Sequence, residues 1–203
     1  SQQIGLLGHS EGGMLAAMVA ARNPAVAFVI SMAGTAVDGY DTLLKQVERL
    51  ALASGASQEA ADIAVVQQRE ALDLAMNQDW PALETLITQI AQEQAAALSE
   101  EQKAALGDID GLIQAQVAAQ LQAFQSPWYQ FFLRYNPADD LAKVSAPVLG
   151  IFGGRDVQVD AEQNSTALQA ALGKAGNADV TIQVLPTANH LFQEAQTGGV
   201  AEY

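Results

Sequence analysis

The sequence predicts an α/β fold: a mainly parallel sheet with helices on both faces and a long helical insertion. Three observations lead to this fold class. Near the start, two apolar runs flank a helical stretch, an order typical of a right-handed parallel crossover. Two further apolar runs, residues 147–152 and 180–185, flank another helical stretch. Between these two groups, residues 40–135 contain no stretch with the pattern of a strand.

The first group is a strand, a helix and a strand. Residues 3–9 are predicted as a buried strand because a short apolar run ends in a turn there. Residues 11–22 are predicted as a helix that Asn23 and Pro24 end. Residues 26–32 form a second continuous apolar run and are predicted as the neighbouring strand.

Helices in the insertion are indicated by capping residues followed by apolar residues at helical spacing. The expected starts are Asp41, Ser57, Asp79-Trp80-Pro81, a capping box from Ser99 to Gln102 and Ser126-Pro127, and residues 109–124 are expected to continue helically. The insertion can be a bundle that packs on itself, a cap over the functional site, or both. Its position favours a cap, because functional sites of α/β proteins lie at the carboxyl ends of strands. We therefore expect three segments: 1–39, 40–135 and 136–203.

The second group follows the helix break at Asn136-Pro137. Residues 147–152 are predicted as a third buried strand and residues 160–172 as a helix. Residues 180–185 alternate in part and are predicted as a fourth strand nearer the edge of the sheet. Residues 191–195 are expected to begin one more helix.

Composition excludes several classes of function. The net charge of −14, from 9 basic and 23 acidic residues, argues against nucleic acid or an anionic membrane as a partner. The absence of cysteine excludes disulfides, thiolate chemistry and cysteine metal sites. Two isolated histidines give no support for a metal site, so no cofactor is expected. No apolar run reaches the roughly 18 residues that span a bilayer, and the cellular compartment stays open.

The stretch Gly8-His9-Ser10-Glu11-Gly12-Gly13 matches the G-x-S-x-G nucleophile elbow, with a strand before it and a helix after it. Gly8 and Gly12 are expected to flank Ser10 because a β-carbon there would collide with the neighbouring strand or helix. The turn runs into a helix, so the N–H of Glu11 is placed to donate to an oxyanion. The alternative is a glycine-rich turn that binds phosphate.

A nucleophilic serine needs a base, and the chain offers two histidines. His9 adjoins Ser10, so its side chain should point away, and packing or hydrogen bonding under the elbow is its predicted role. His190 lies in a loop after the fourth strand, at the same end of the sheet as Ser10. His190 is therefore the predicted base.

The base needs an orienting acid between Ser10 and His190 in the chain. Asp156 directly follows the third strand and is the predicted acid, although it could be a plain turn aspartate. Asp160 is the second candidate, but it more naturally caps the next helix. Asp139 and Asp140 precede that strand and lie at the wrong end.

These residues resemble a known family. The elbow, the strand ending in Met32-Ala33-Gly34, the turn Gly153-Gly154-Arg155-Asp156 and the loop Asn189-His190-Leu191-Phe192-Gln193 are similar to those of bacterial α/β-hydrolase carboxylesterases. This group is akin to the prolyl-oligopeptidase and dienelactone-hydrolase serine hydrolases. The resemblance implies the α/β-hydrolase fold, with Ser10, Asp156 and His190 as nucleophile, acid and base and Glu11 in the oxyanion hole.

The resemblance also implies that the chain is a fragment without the N-terminal part of the sheet. The second oxyanion donor would then lie outside it. An exposed central strand would invite pairing with another copy, so self-association is left open.

The expected function is a serine hydrolase that cleaves small carboxylic esters through an acyl-enzyme, without a cofactor. Its expected partner is a small ester. Trp128 and Phe132 could form a substrate pocket, although core of the insertion is the favoured interpretation for most of the aromatic residues in this patch. The alternatives are a serine peptidase of the prolyl-oligopeptidase type and a non-catalytic binding module that keeps the fold.

Overall fold

The computed structural model describes residues 4–203, and its strands form one four-stranded parallel sheet in the order β1-β2-β3-β4. The strands are β1 (Ile4–His9), β2 (Val26–Met32), β3 (Val148–Gly153) and β4 (Val180–Leu185). All three pairings are parallel, as the apolar runs predict. His9, Met32, Ile151 and Gln183 lie in one row across the sheet, so the carboxyl ends of the strands are level.

Nine α-helices lie among the described residues. They are α1 (Glu11–Ala20), α2 (Gly39–Ala53), α3 (Gln58–Asn77), α4 (Trp80–Ala96), α5 (Glu100–Leu106), α6 (Ile109–Gln125), α7 (Pro127–Arg134), α8 (Pro137–Leu141) and α9 (Ala161–Lys174). The predicted caps of α4 and α5 are confirmed: Asp79 accepts from the N–H of Ala82, and Ser99 and Gln102 form a capping box. The prediction for α2 was wrong by three residues. Asp38 is its cap and accepts from the N–H of Asp41.

Residues 191–195 do not form the expected helix. Ala188 and Glu194 form an antiparallel bridge instead, which closes a tight loop around His190. Phe192 has a φ of 60°, a left-handed conformation that interrupts a right-handed helix. A short 3₁₀ turn follows at Val200–Glu202.

The chain divides into two compact units. One contains the chain up to Val65 together with Arg134–Tyr203, and the other is Val66–Leu133. The core of the first unit is formed by side chains of α1, β2, β3, α8 and α9. The second unit contains the middle of the predicted insertion, in which α4 packs against α6. Its role as a cap stays a prediction.

Candidate active site

Ser10 occupies the turn between β1 and α1 with a φ of 56° and a ψ of −124°. A positive φ is strained for a residue with a β-carbon, and such strain gathers at functional sites. Two backbone hydrogen bonds hold the turn. The N–H of Ser10 donates to the carbonyl of Met32 over 2.8 Å, and the N–H of Gly13 donates to the carbonyl of Ser10 over 2.9 Å.

Of the two glycines predicted to flank Ser10, only Gly8 lies where a β-carbon would not fit. A β-carbon on Gly8 would collide with the backbone carbonyl of Gly12. A β-carbon on Gly12 would meet no atom within 4 Å among the described residues, so that part of the prediction was wrong. The second tight glycine is Gly13, where a β-carbon would stand 2.7 Å from Ser31 Oγ and 2.8 Å from Gly34 Cα.

Asp156 and His190 form a buried pair. Asp156 Oδ2 lies 2.8 Å from His190 Nδ1, and the two residues are 0% and 4% exposed. The other carboxylate oxygen, Oδ1, accepts from the N–H groups of Gln158 and Val159 over 2.8 and 2.9 Å. Two backbone N–H groups therefore fix the orientation of the carboxylate through Oδ1, and Oδ2 is directed at the imidazole.

The loop that carries His190 is held by Asn189, which is fully buried. Asn189 Oδ1 accepts from the N–H groups of Leu191 and Gln193, both over 3.0 Å. The backbone N–H of Asn189 donates to the carbonyl of Gln193 over 2.9 Å. This role of Asn189 is not among those predicted from the sequence. An Asn within a loop, ahead of the residues that it bonds, is the signal of an Asx turn.

His9 contacts His190 directly. His9 Nε2 lies 2.8 Å from the carbonyl oxygen of His190, and the two ring centroids are 4.7 Å apart. This hydrogen bond fits the structural role predicted for His9. Since His9 directly precedes Ser10, the bond also places the His190 loop close to Ser10. No hydrogen bond joins Ser10 Oγ to His190 in residues 4–203.

The competing acids have structural partners. Asp160 caps α9 by accepting from the N–H of Gln163 over 2.9 Å, and it pairs with Arg49 Nε at 3.2 Å. The expectation that Asp160 caps this helix is confirmed.

Asp140 lies in α8, ahead of β3, where it is buried and pairs with Arg22 at 2.9 Å. Burial alone would raise the pKa of Asp140, but hydrogen bonds from Tyr135 and Lys143 and the charge of Arg22 hold that pKa below its usual value. Among the described residues, neither Asp160 nor Asp140 forms a hydrogen bond or an ion pair with His190.

The remaining predicted residues are Glu11, Trp128 and Phe132. Glu11 is the first residue of α1 and directly follows Ser10. Trp128 and Phe132 lie on α7 in the second unit, with their rings stacked 5.4 Å apart and half of Trp128 exposed. A substrate pocket at this aromatic pair stays a prediction.

Two classes of feature are missing from the described residues. No group of three or more His, Cys, Asp or Glu side chains in residues 4–203 is arranged to hold a metal ion. Within the same range, no helix has the length and hydropathy needed to cross a membrane.

Relatives match short stretches of the chain. A Yersinia pestis protein provisionally named a carboxymethylenebutenolidase is 44% identical over 61 residues, which is 30% of this chain and 22% of that protein. A Salmonella typhimurium protein with the same provisional name is 37% identical over 67 residues, which is 33% of this chain and 24% of that protein. The matched stretches thus span less than a quarter of these relatives.

Solved structures and a family model match nearly all of the chain. The match to the structure of an alpha/beta fold family hydrolase from Bacillus anthracis covers 93% of this chain and 61% of that protein, with 19% identity and a TM-score of 0.47. The model of the alpha/beta hydrolase family matches residues 1–203. The family model shows that the chain belongs to the alpha/beta hydrolase family. The four-stranded parallel sheet agrees with it, and the predicted fold class is confirmed.

Proposed function

We propose that this chain is a serine hydrolase that cleaves small carboxylic esters through an acyl-enzyme. The observation that carries the proposal is the buried Asp156–His190 pair, with 2.8 Å between carboxylate and imidazole. This pair lies at the same end of the sheet as the strained turn of Ser10. A serine in a tight strand-to-helix turn, combined with an oriented imidazole, is the arrangement that activates a hydroxyl.

Each residue has one task in the proposed reaction. Ser10 Oγ attacks the acyl carbon, and His190 Nε2 takes the hydroxyl proton and then gives it to the departing alcohol. Asp156 accepts from Nδ1–H, which fixes the tautomer and stabilises the imidazolium. Water then attacks the acyl-enzyme with His190 as base, which releases the acid and restores Ser10.

The negative charge that forms on the acyl oxygen needs hydrogen-bond donors. In this fold the backbone N–H after the nucleophile is one of them, and here that residue is Glu11 at the start of α1. We assign this N–H to the oxyanion hole. Losing one donor of this kind typically slows the chemical step by about a hundredfold to a thousandfold.

Ser10 and His190 must close a hydrogen bond for the proposed proton transfer. In enzymes without substrate this bond is often long and tightens only in the Michaelis complex. The His9–His190 contact supports the proposal, because it keeps the His190 loop at the elbow.

The names of the relatives support ester substrates. A butenolide is an unsaturated lactone, which is a cyclic carboxylic ester, and both curated relatives carry the provisional name of a butenolide hydrolase. The same acyl transfer at Ser10 would open a lactone or cleave a linear ester, so both kinds of substrate belong in the test.

The test compares the purified protein with Ser10→Ala and with Ser54→Ala, an exposed serine at the end of α2 that serves as a control. Substrates are p-nitrophenyl acetate and an unsaturated γ-lactone. We expect Ser54→Ala to match the wild type and Ser10→Ala to lose about a thousandfold or more in kcat. A fluorophosphonate should also label Ser10 once per chain. Equal turnover in both variants, with no label on Ser10, would refute the proposal.

A further inference from the structure

We propose that His9 is a positioning residue whose ring holds the backbone of His190 beside Ser10. This inference rests on the proposed function. The observation behind it is the 2.8 Å hydrogen bond between His9 Nε2 and the His190 carbonyl oxygen, which joins residues 181 positions apart. A carbonyl only accepts, so His9 Nε2 carries the hydrogen and donates.

The His190 loop must cross the width of the described sheet to approach Ser10. His190 follows β4, and Ser10 follows β1, the strand at the other end of the described sheet. Neighbouring strands lie about 4.8 Å apart, so three intervals separate these strand ends by about 14 Å. The hydrogen bond from His9 is a direct tie between the elbow and this loop.

The ring of His9 also packs against the loop. Its centroid is 4.7 Å from that of His190 and 5.9 Å from that of Phe192, with which it forms a T-shaped pair. His9 itself is exposed, whereas His190 is 4% exposed. Donor and ring are thus two separable contributions of His9, and the proposal assigns the positioning to the donor.

Asp156 cannot replace this tie. Asp156 lies after β3, and its carboxylate accepts from the ring of His190, so it sets the tautomer and the ring orientation. It forms no hydrogen bond with β1 among the described residues. Without His9, the ring would stay paired with Asp156 while the distance between His190 and Ser10 grew. A misplacement of about 1 Å can cost about a hundredfold in rate, and it acts on kcat more than on KM.

Three substitutions separate the donor from the ring. His9→Leu removes both, His9→Phe keeps a ring, and His9→Gln keeps an N–H donor. Ester turnover is measured for each, beside the wild type. We expect His9→Leu and His9→Phe to lose about 10- to 100-fold in kcat, with KM changed by less than about threefold, and His9→Gln to recover most of kcat.

An unchanged kcat in all three variants would overturn the proposal, and so would a loss that His9→Phe restores and His9→Gln does not. A fall in kcat that follows the melting temperature across the three variants would also overturn it, because that pattern indicates general destabilisation.

A second readout keeps this inference distinct from the proposed function. If turnover does not depend on Ser10, the proposed function fails, and the position of His190 is then judged by NMR on histidine-labelled protein. The backbone N–H resonance of His190 should shift or broaden in His9→Leu and return in His9→Gln, while the Nδ1–H proton between His190 and Asp156 keeps its position. An unchanged backbone resonance of His190 in His9→Leu would contradict the positioning role.

Discussion

Gly13 of α1 lies so close to Gly34 that a β-carbon on Gly13 would stand 2.8 Å from the Cα of Gly34. Ser31 Oγ would be 2.7 Å from the same β-carbon. The start of α1 therefore packs against the turn that follows β2, and this contact sets how deeply the helix sits behind Ser10. Backbone atoms form half of the contact, so side-chain rotation cannot relieve an added methyl group.

We expect Gly13→Ala to lower the free energy of unfolding by about 1–3 kcal/mol, because it overpacks this contact. Gly12→Ala is the matched control one residue earlier. It meets open space and removes a flexible glycine from a helix, so it should be neutral or stabilising by up to about 1 kcal/mol. Urea denaturation measures both. Equal destabilisation by the two substitutions would contradict this account of the elbow.

Asp156→Asn should abolish most of the proposed activity while the fold stays intact. The amide can still accept from Gln158 and Val159, but it presents an NH₂ group to His190 and favours the wrong tautomer. In a comparable triad this change costs about 10⁴ in kcat. We expect a loss of similar order in p-nitrophenyl acetate turnover.

Asp160→Asn is the control for that experiment. Asp160 is also buried and lies four residues on, but it caps α9, and Asn caps a helix as well as Asp does. Its kcat should stay within about threefold of the wild type, because its hydrogen bond and ion pair among the described residues are with Gln163 and Arg49 and not with His190. If Asp160→Asn were the more damaging substitution, the assignment of the acid would be wrong.

The strands and most helix starts could be predicted from the sequence because their causes are local. Continuous apolar runs bury a parallel strand on both faces, and Ser99 and Asp79 each cap their helix through a residue three positions away. The error at α2 has the same origin. Asp38 and Asp41 both lie near the start, and the pattern alone does not say which side chain accepts.

The helix expected at residues 191–195 failed for a local reason too. The side chain of Asn189 satisfies two N–H groups of the loop, and this competes with helical hydrogen bonds. The requirement for glycine at position 13 has a different cause. It depends on Gly34, which lies in the turn after β2, and a contact between segments distant in the chain leaves no mark on local sequence.

Among the candidate site residues, Asp156 and His190 could be chosen from chain order, since both follow strands of one sheet. The bond from His9 to the His190 carbonyl could not be predicted in that way, because it depends on where the loop after β4 turns. Only the folded structure shows that the side chain of His9 and the backbone of His190 lie within hydrogen-bond distance.

Asn189→Ala should weaken the His190 loop. It leaves the N–H groups of Leu191 and Gln193 without their acceptor, and the loss of a hydrogen bond typically costs about 0.5–1.5 kcal/mol. We expect faster amide exchange at these two residues and a fall in kcat. Hydrogen exchange by NMR and ester turnover measure the two effects.

Asn177→Ala is the matched control for Asn189→Ala. Asn177 Nδ2 donates to the carbonyls of Val144 and Ala146, which precede β3 at the opposite end of the sheet. It should lower stability by a similar amount while kcat stays unchanged. A parallel fall in kcat for both variants would show that global stability, and not the loop, limits turnover.

Asp140 should make stability depend on pH in the acid range. It is 3% exposed, accepts from the Tyr135 hydroxyl over 2.7 Å and pairs with Arg22. Its pKa is lowered in the folded chain, so its contribution is present above the unfolded pKa of about 4 and is lost as pH falls through the folded value. Asp140→Asn should therefore cost about 1–3 kcal/mol at pH 7, and the difference from wild type should shrink toward pH 3.

Urea denaturation at pH 7, 5, 4 and 3 measures this difference. Asp139→Asn is the control, because Asp139 is the exposed neighbour in the same helix and its loss should change stability by less than about 0.5 kcal/mol at every pH. A difference between wild type and Asp140→Asn that stays constant from pH 7 to pH 3 would contradict the prediction. It would show that Asp140 stabilises α8 through packing and hydrogen bonds that Asn also makes, and not through its charge.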